Sequence, residues 1–542
     1  MGVCGRRQVG VSAPSWSCLA TRADDVAYSH IRKEESCVRI RSGCAAFISA
    51  MILGCVLMPV MAARAWATEP GIPDISGSGA REGFEELLYS FDNFWGEPYA
   101  GSIVCTELAG HRIPGVISKE DAVHDVDFLF RVLKYGYAGY GFFGGDEVFL
   151  AARQGILADI DDLREGSLGI NKFLTLLKRW LGFIQDGHFS IHGTIMCRGY
   201  RSFARFDMEF DESGGRFYAR QTPDAWVVAV EGEEPSRWMK PSIGSDGEVF
   251  YCLGATSDAS RDICVRVDWS DGSHEFVWLS TVGSPLVLGP AYELKYVDGI
   301  PVATSRSLLP VPEALPQLEA LLRDVAELKE APAAIVDLRS HNGGNDWYAM
   351  EWVKGFAGTH VCPSSFHAQL VTNTAAKMWE NSTIRLGVDW SALRGMVPEG
   401  DSEGPPDARS WLAGNADPDR PGWSQVSVIE GVKAENDTLL VVLIDSNVCS
   451  AGESFVGYLR QLENVVFVGI NTYGMMLSGN VGVCMLPKSE LVLICGTKIS
   501  LGEDLSNRDG LGHMPDFWVD PEQALERAVK YIQAMQAGAG NR

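Results

Sequence analysis

Ser450 is the side chain of this sequence best placed to act as a nucleophile. Leu439 to Ile444 is an unbroken apolar run, as expected of a strand covered on both faces. Asp445-Ser446-Asn447 breaks the run, and Ser450-Ala451-Gly452-Glu453 opens a helix that carries Phe455, Val456 and Leu459. A hydroxyl there lies beside backbone N–H groups without helical acceptors, at the positive end of the helix dipole. Such donors can hold the negative oxygen that forms when a serine attacks a carbonyl. The same four residues also spell a capping box, with Ser450 as N-cap and Glu453 reaching back. Cys449, one residue earlier, is expected to be a buried thiol or half of a disulfide.

The elements that must position this serine change character along the chain. Between 80 and 195, FEELLYSFDNFW, AVHDVDFLFRVLKYGYAGY and NKFLTLLKRWLGFIQDG place apolar residues three and four apart, which predicts a helical region. From about 200 to 300 the pattern alternates with Ser-Gly-Gly and Ser-Asp-Gly turns between runs, which predicts a β-rich module. A helix over Val311–Lys329 leads into a strand at Ala333–Leu338, and the Gly343-Gly344 turn that follows opens another helix. The strand at 438–444, a helix at 450–461 and a strand at 465–470 make a β-α-β unit. A hairpin at 481–496 and a helix from Pro521 complete an α/β C-terminal part. The expected division is 1–67, 68–195, 196–305 and 306–542, with a Pro-, Gly- and Asp-rich insertion at about 360–437 that could cover a cleft as a lid.

Composition narrows the partners. Over 542 residues the chain is 46% hydrophobic, ordinary for a globular protein, and its net charge is −24. Residues 1–67 hold eight Lys/Arg against four Asp/Glu, so the remainder is more acidic still, which argues against nucleic-acid binding. Arg39 and Arg41 precede a nearly all-apolar run from Cys44 to Ala63, and Ala65-Trp66-Ala67 fits signal-peptide cleavage after Ala67. The expectation is a secreted or periplasmic protein whose mature chain spans no membrane. A lipoprotein site at Cys55 ranks lower, because apolar residues continue past it. Of 13 cysteines, eight follow residue 67, and Cys484 with Cys495, or Cys252 with Cys264, could form cross-strand disulfides. No C-x-x-C pair is present, so no structural zinc site is expected.

Five motifs in order resemble those of the tail-specific (C-terminal processing) and tricorn-type serine peptidases. They are Asp186-Gly187-His188, Asp337-Leu338-Arg339-Ser340-His341-Asn342-Gly343-Gly344, Cys449-Ser450-Ala451-Gly452-Glu453, Val468 to Gly474, and Gly510-Leu511-Gly512-His513-Met514-Pro515-Asp516. The resemblance implies an α/β fold with a crotonase-like spiral core. It makes Ser450 the nucleophile, and gives an oxyanion hole from the Ala451 N–H and one from Gly343 or Gly344. The tail-specific branch takes its base from a lysine just beyond the T-x-G, where this chain has Met475 and Met476, and Lys488 and Lys498 are expected on the hairpin surface. The tricorn-like branch uses a histidine from the upstream helical region, which His188 matches, oriented by an acidic residue for which Glu503 or its neighbour Asp504 is in the right stretch. This sequence departs from that pattern at Gly187, where the branch has a serine, and at His341, where the family has an asparagine. His341 could be a second base or a turn residue. Relatives often carry a PDZ domain in the place of the β-rich module; Ala225–Pro235 is similar to its strand-turn, but the usual carboxylate loop is not evident.

The function expected from these residues is an exported serine peptidase acting on peptide or protein substrates without metal or cofactor. An alternative is a non-catalytic binding protein for an apolar ligand or peptide on the same fold, and export disfavours acyl-CoA chemistry.

Overall fold

The computed structural model describes residues 78–91, 113–386 and 414–540. The leader and cleavage site expected within 1–67 therefore lie outside the described residues, as do Cys105 and residues 387–413 of the expected insertion.

The N-terminal part is helical, as the three- and four-residue spacing predicts. It comprises α1 (Ser78–Glu86), α2 (Lys119–Gly136), α3 (Gly145–Asp161) and α4 (Ile170–Leu181), with short strands β1 (Val116–Ser118) and β2 (Ser167–Gly169) pairing antiparallel ahead of α2 and α4. Ser118 caps α2 by accepting from the Asp121 N–H at 3.0 Å, and Glu120 and Asp121 face the positive helix end. Val126, Leu129 and Leu133 of α2 bury against Phe149 and Ile156 of α3 and Phe173, Leu177 and Leu181 of α4. After α4 the chain turns through Asp186-Gly187-His188 into the hairpin β3 (Ser190–Ile191) and β4 (Thr194–Ile195).

The middle module folds as its alternation predicts. Its strands are β5 (Arg201–Ser213), β6 (Arg216–Ala219), β7 (Thr222–Val230), β8 (Met239–Ile243), β9 (Val249–Ser257), β10 (Ile263–Trp269) and β11 (His274–Thr281), in the order β11-β10-β7-β6-β5-β9-β8. A further β11–β5 pairing closes five of them into a small barrel around Phe203, Phe210, Val267 and Leu279. Cys252 on β9 and Cys264 on β10 are therefore not neighbours, because β9 pairs with β5 and β8 while β10 pairs with β7 and β11.

The C-terminal part is built on two sheets. One has the order β12 (Tyr292–Val297), β13 (Ile300–Ser305), β14 (Ala333–Asp337), β17 (Leu439–Ile444), β18 (Val465–Gly469), β21 (Phe517–Trp518), and every pairing from β13 onward is parallel. Its central strands are buried on both faces, by α5 (Leu315–Arg323), α6 (Val325–Glu330), α7 (Trp347–Ala357) and the helix after Ser450 on one side and by a C-terminal helix on the other, which explains their unbroken apolar runs. The second sheet joins β15 (Ser365–Gln369), β16 (Ser427–Ile429), β19 (Ser478–Met485) and β20 (Val492–Leu501) to β3 and β4. Residues 360–437 thus are not a lid in their described part, since β15 zips onto β20 and α8 (Asn373–Leu386) packs on β19. α9 (Ala451–Leu459) and α10 (Ala524–Gly540) complete the helices. The β3–β20 pairing, at Leu493 with Ile191 and Ile494 with Ser190, anchors the His188 loop to the α/β part.

None of the seven described cysteines forms a disulfide. The β19–β20 register sets Cys484 opposite Leu493 and Cys495 opposite Gly482, so the cross-strand bridge expected between them is two positions out of register.

Candidate active site

Ser450 joins the end of β17 to α9 with φ 53° and ψ −122°, a backbone conformation that L side chains rarely adopt. The capping-box expectation does not hold. Ser450 makes no side-chain cap hydrogen bond; its Oγ instead lies 3.2 Å from His188 Nε2, across 262 residues of sequence. Glu453 is likewise engaged elsewhere. Its Oε1 accepts from the Thr472 hydroxyl at 2.6 Å and the Gly474 N–H at 2.9 Å, and its Oε2 from the Met475 N–H at 2.7 Å. Burial pushes the Glu453 carboxyl up to about 7, with those three donors pulling it back. The glutamate thus ties the start of α9 to the Asn471–Met476 turn.

The turn after β14 forms the other side of the serine. Asp337 is held by two guanidinium groups, Arg306 at 3.0 Å and Arg339 at 2.7 Å. Burial alone would raise the Asp337 carboxyl, but the Arg339 hydrogen bonds and the Arg306 charge bring it below its ordinary value. Gly343, at φ 90°, lies so close that a side chain there would begin 3.1 Å from Ser450 Cβ. His341 is a turn residue. Its Nδ1 accepts from the Gly343 N–H at 3.1 Å, and burial pushes its imidazole down to about 3. The Gly343 N–H is thereby committed, which leaves Gly344, beside it at φ 132°, and Ala451, the first residue of α9, as the donors to consider at Ser450.

His188 is buried, and burial together with the Lys498 charge pushes it down to about 3, so the ring is neutral through the physiological range. Its Nδ1 has no hydrogen-bond partner among the described residues. Glu503 does not fill that place. It is exposed on the loop after β20, and Asp504 beside it accepts from Ser506 and pairs with Arg508 at the surface. The carboxylates that hold the His188 loop are Asp186 and Asp509. Asp186 accepts from the His188 N–H at 2.8 Å, the Ser478 hydroxyl at 3.0 Å and the Tyr137 hydroxyl at 2.8 Å. Asp509 accepts from the Gly187 N–H at 2.8 Å, the Met476 N–H at 2.7 Å and the Leu477 N–H at 2.9 Å. Burial raises both carboxyls, and the nearby Asp186 charge raises Asp509 further. The sequence reading missed this pair. The available signal was Asp509 standing directly before the Gly510-Leu511-Gly512 turn.

The departure at Gly187 has a packing reason. A side chain at Gly187 would begin 2.8 Å from the Gly474 carbonyl and 3.0 Å from Met475 Cβ. The Gly474 carbonyl and the first side-chain carbons of buried Met475 thus crowd the space that a serine at 187 would need. The last two motifs also meet: the Gly510 N–H donates to the Gly474 carbonyl at 2.8 Å, and the Phe467 N–H donates to Asp516 at 2.8 Å.

Residues 313–483, which include Ser450, match the sequence profile of peptidase family S41. Over that segment the chain is similar to the S41 peptidases. These are serine peptidases and therefore hydrolases. No curated protein matches the chain. Among solved structures, mature CPAF complexed with lactacystin is 13% identical, covering 77% of this chain and 98% of that one, with a TM-score of 0.40. The photosystem II D1 C-terminal processing protease is 12% identical, covering 74% and 93%, with a TM-score of 0.31. A peptidase from Parabacteroides merdae is 12% identical, covering 78% and 96%, with a TM-score of 0.36.

Proposed function

We propose that this chain is an exported peptidase, built on a crotonase-like core, that hydrolyses peptide bonds through an acyl-enzyme on Ser450 with His188 as general base. The observation that carries this reading is the 3.2 Å separation of Ser450 Oγ and His188 Nε2 at the head of a helix. Ser450 Oγ attacks the scissile carbonyl carbon and His188 Nε2 takes the hydroxyl proton. The N–H groups of Ala451 and Gly344 receive the oxyanion. The same proton then passes to the leaving amine as the C–N bond breaks, and water repeats the sequence on the ester. Asp186 and Asp509 act as positioning residues, because they grip the backbone on either side of His188 rather than its ring. Export rests on the leader in residues 1–67, and N-terminal sequencing of secreted material, expected to begin at Thr68, tests it.

The test of the chemistry is fluorophosphonate labelling with a peptide-cleavage screen on wild-type and Ser450→Ala protein. Labelling and cleavage are expected in the wild type and absent from the variant. Labelling that survives the substitution would sink the assignment. A wild type that neither labels nor cleaves would favour the binding-protein reading, to which the unpartnered His188 Nδ1 lends its one observation.

A further inference from the structure

His341 is fully buried, and the reaction above gives it no part. It nonetheless touches both elements that bring donors to Ser450. Its carbonyl accepts from the N–H of Cys449, the residue before the nucleophile, at 3.1 Å. Its Nδ1 accepts from the Gly343 N–H at 3.1 Å, and Gly343 is the residue pressed against Ser450. On the α9 side the ring lies so close to Gly452 that a side chain there would begin 2.6 Å from Nδ1 and 3.1 Å from Cγ. The imidazole is thus wedged between the Gly343-Gly344 turn and the start of α9. Because a backbone N–H only donates, Nδ1 is the bare nitrogen and Nε2 carries the ring proton. Nε2 has no hydrogen-bond partner among the described residues. A buried donor left unpaired costs stability that an apolar side chain filling the same space would not.

Leu308 grips the same turn from outside. Its N–H donates to the Gly343 carbonyl at 2.8 Å, and its carbonyl accepts from the Asn345 N–H at 2.9 Å. In a planar trans peptide the N–H points opposite to the C=O, so the Gly344 N–H is turned away from Leu308. Neither that N–H nor the Ala451 N–H has a hydrogen-bond partner among the described residues. Leu308 and His341 therefore hold adjacent peptide groups of the turn. We propose that His341 is a positioning residue of the oxyanion hole: its Nδ1, as the acceptor of an Asx-like turn, fixes Gly343 so that the Gly344 N–H meets the carbonyl oxygen attacked by Ser450. This deepens the peptidase reading and rests on it. Asparagine carries an acceptor on the same carbon, Cγ, and bonds the N–H two residues on in the same way. Leucine comes closer to the volume of imidazole but has no acceptor. The two substitutions separate positioning from packing.

The experiment compares full-chain wild type with His341→Asn and His341→Leu. The readouts are the second-order rate of fluorophosphonate labelling, whose phosphoryl oxygen takes the oxyanion's place, and kcat and KM on a quenched-fluorescent peptide that the wild type cleaves. Thermal melting is followed in parallel. His341→Leu is expected to lower the labelling rate and kcat by roughly 10- to 100-fold with KM within about threefold, as misaiming one oxyanion donor would. His341→Asn is expected to stay within about fivefold of wild type in both rates, although the cavity it leaves lowers the melting temperature. A His341→Leu protein that labels and cleaves at least as fast as His341→Asn overturns the proposal, because packing alone predicts that order. So does a loss confined to KM in either variant. Should the leucine variant not fold, His341→Asn still decides: a folded protein whose labelling rate falls by more than about fivefold overturns the proposal, and a smaller change supports it. Wild-type protein that neither labels nor cleaves instead overturns the peptidase reading itself.

Discussion

Among its described residues this molecule contains two buried or half-buried serine–histidine contacts, and they differ in everything except residue type. His367 has a hydroxyl within 2.8 Å on each ring nitrogen, whereas His188 has one at 3.2 Å and nothing on Nδ1 among the described residues. By distance alone His367 is the better hydrogen-bonded ring. Its serines sit on strands β15 and β20, in a ladder whose amides are already paired, so a carbonyl attacked there would find no donors for its oxygen. Ser450 stands at a helix start with a glycine pressed against it. Hydroxyl-to-imidazole distance therefore ranks below the supply of uncommitted backbone donors in separating a cross-strand tie from a reactive pair.

The largest expected contrast is between the two histidines. His188→Ala should lower kcat/KM by roughly 10³-fold, as loss of a general base does, and His367→Ala by less than about tenfold, both measured on a cleaved quenched peptide. Similar losses in the two variants would erase the distinction between the pairs. Next in size is Asp509→Asn, which places an amide N–H against backbone donors and lets the Gly187-His188 segment shift. A drop of about 10- to 100-fold in kcat with little change in KM is expected, and the melting temperature should fall as well. A change confined to KM would argue against a positioning role.

The pH profile gives a smaller and more specific contrast. Because burial and the Lys498 charge hold His188 below its ordinary 6.5, its neutral form persists as pH falls, and the acid limb of kcat/KM should lie below that value. Lys498→Met should move the limb upward. The corresponding stability term runs the same way: a neutral His188 favours the folded state above pH 6.5, and that contribution is lost as pH falls toward 3. An acid limb at or above 6.5 in the wild type would contradict this account. The smallest effect belongs to Glu503→Ala, expected within about twofold of wild type in kcat/KM because the residue is exposed and makes no contact with His188.

What could be read from the sequence followed the range of the interaction that decides each residue. Ser450, Gly343 and the strand–turn–helix around them are fixed by local pattern, and ordered motifs brought His188 in from 262 residues away. Asp509 escaped because it acts through the backbone N–H of Gly187, a group with no side-chain signature, 322 residues distant. Lys498, expected on the surface, is only partly exposed, because alternation identifies two faces of β20 without saying how far each is covered. The Cys484–Cys495 pairing failed on register, which a hairpin's turn length leaves free by the two residues that matter here, and Cys252–Cys264 failed on strand order. The reason for glycine at 187 lies in the Gly474–Met475 segment packed against it, which is distant in sequence.

The backbone of Ser450 has a consequence for how such a chain could change. A serine at φ 53° carries strain on the order of 1–3 kcal/mol that glycine would not, so Ser450→Gly should yield a protein that folds at least as firmly and does nothing to a peptide. Reactivity and robustness pull in opposite directions at that single codon. In the absence of use, drift toward an inert and sturdier relative would run downhill.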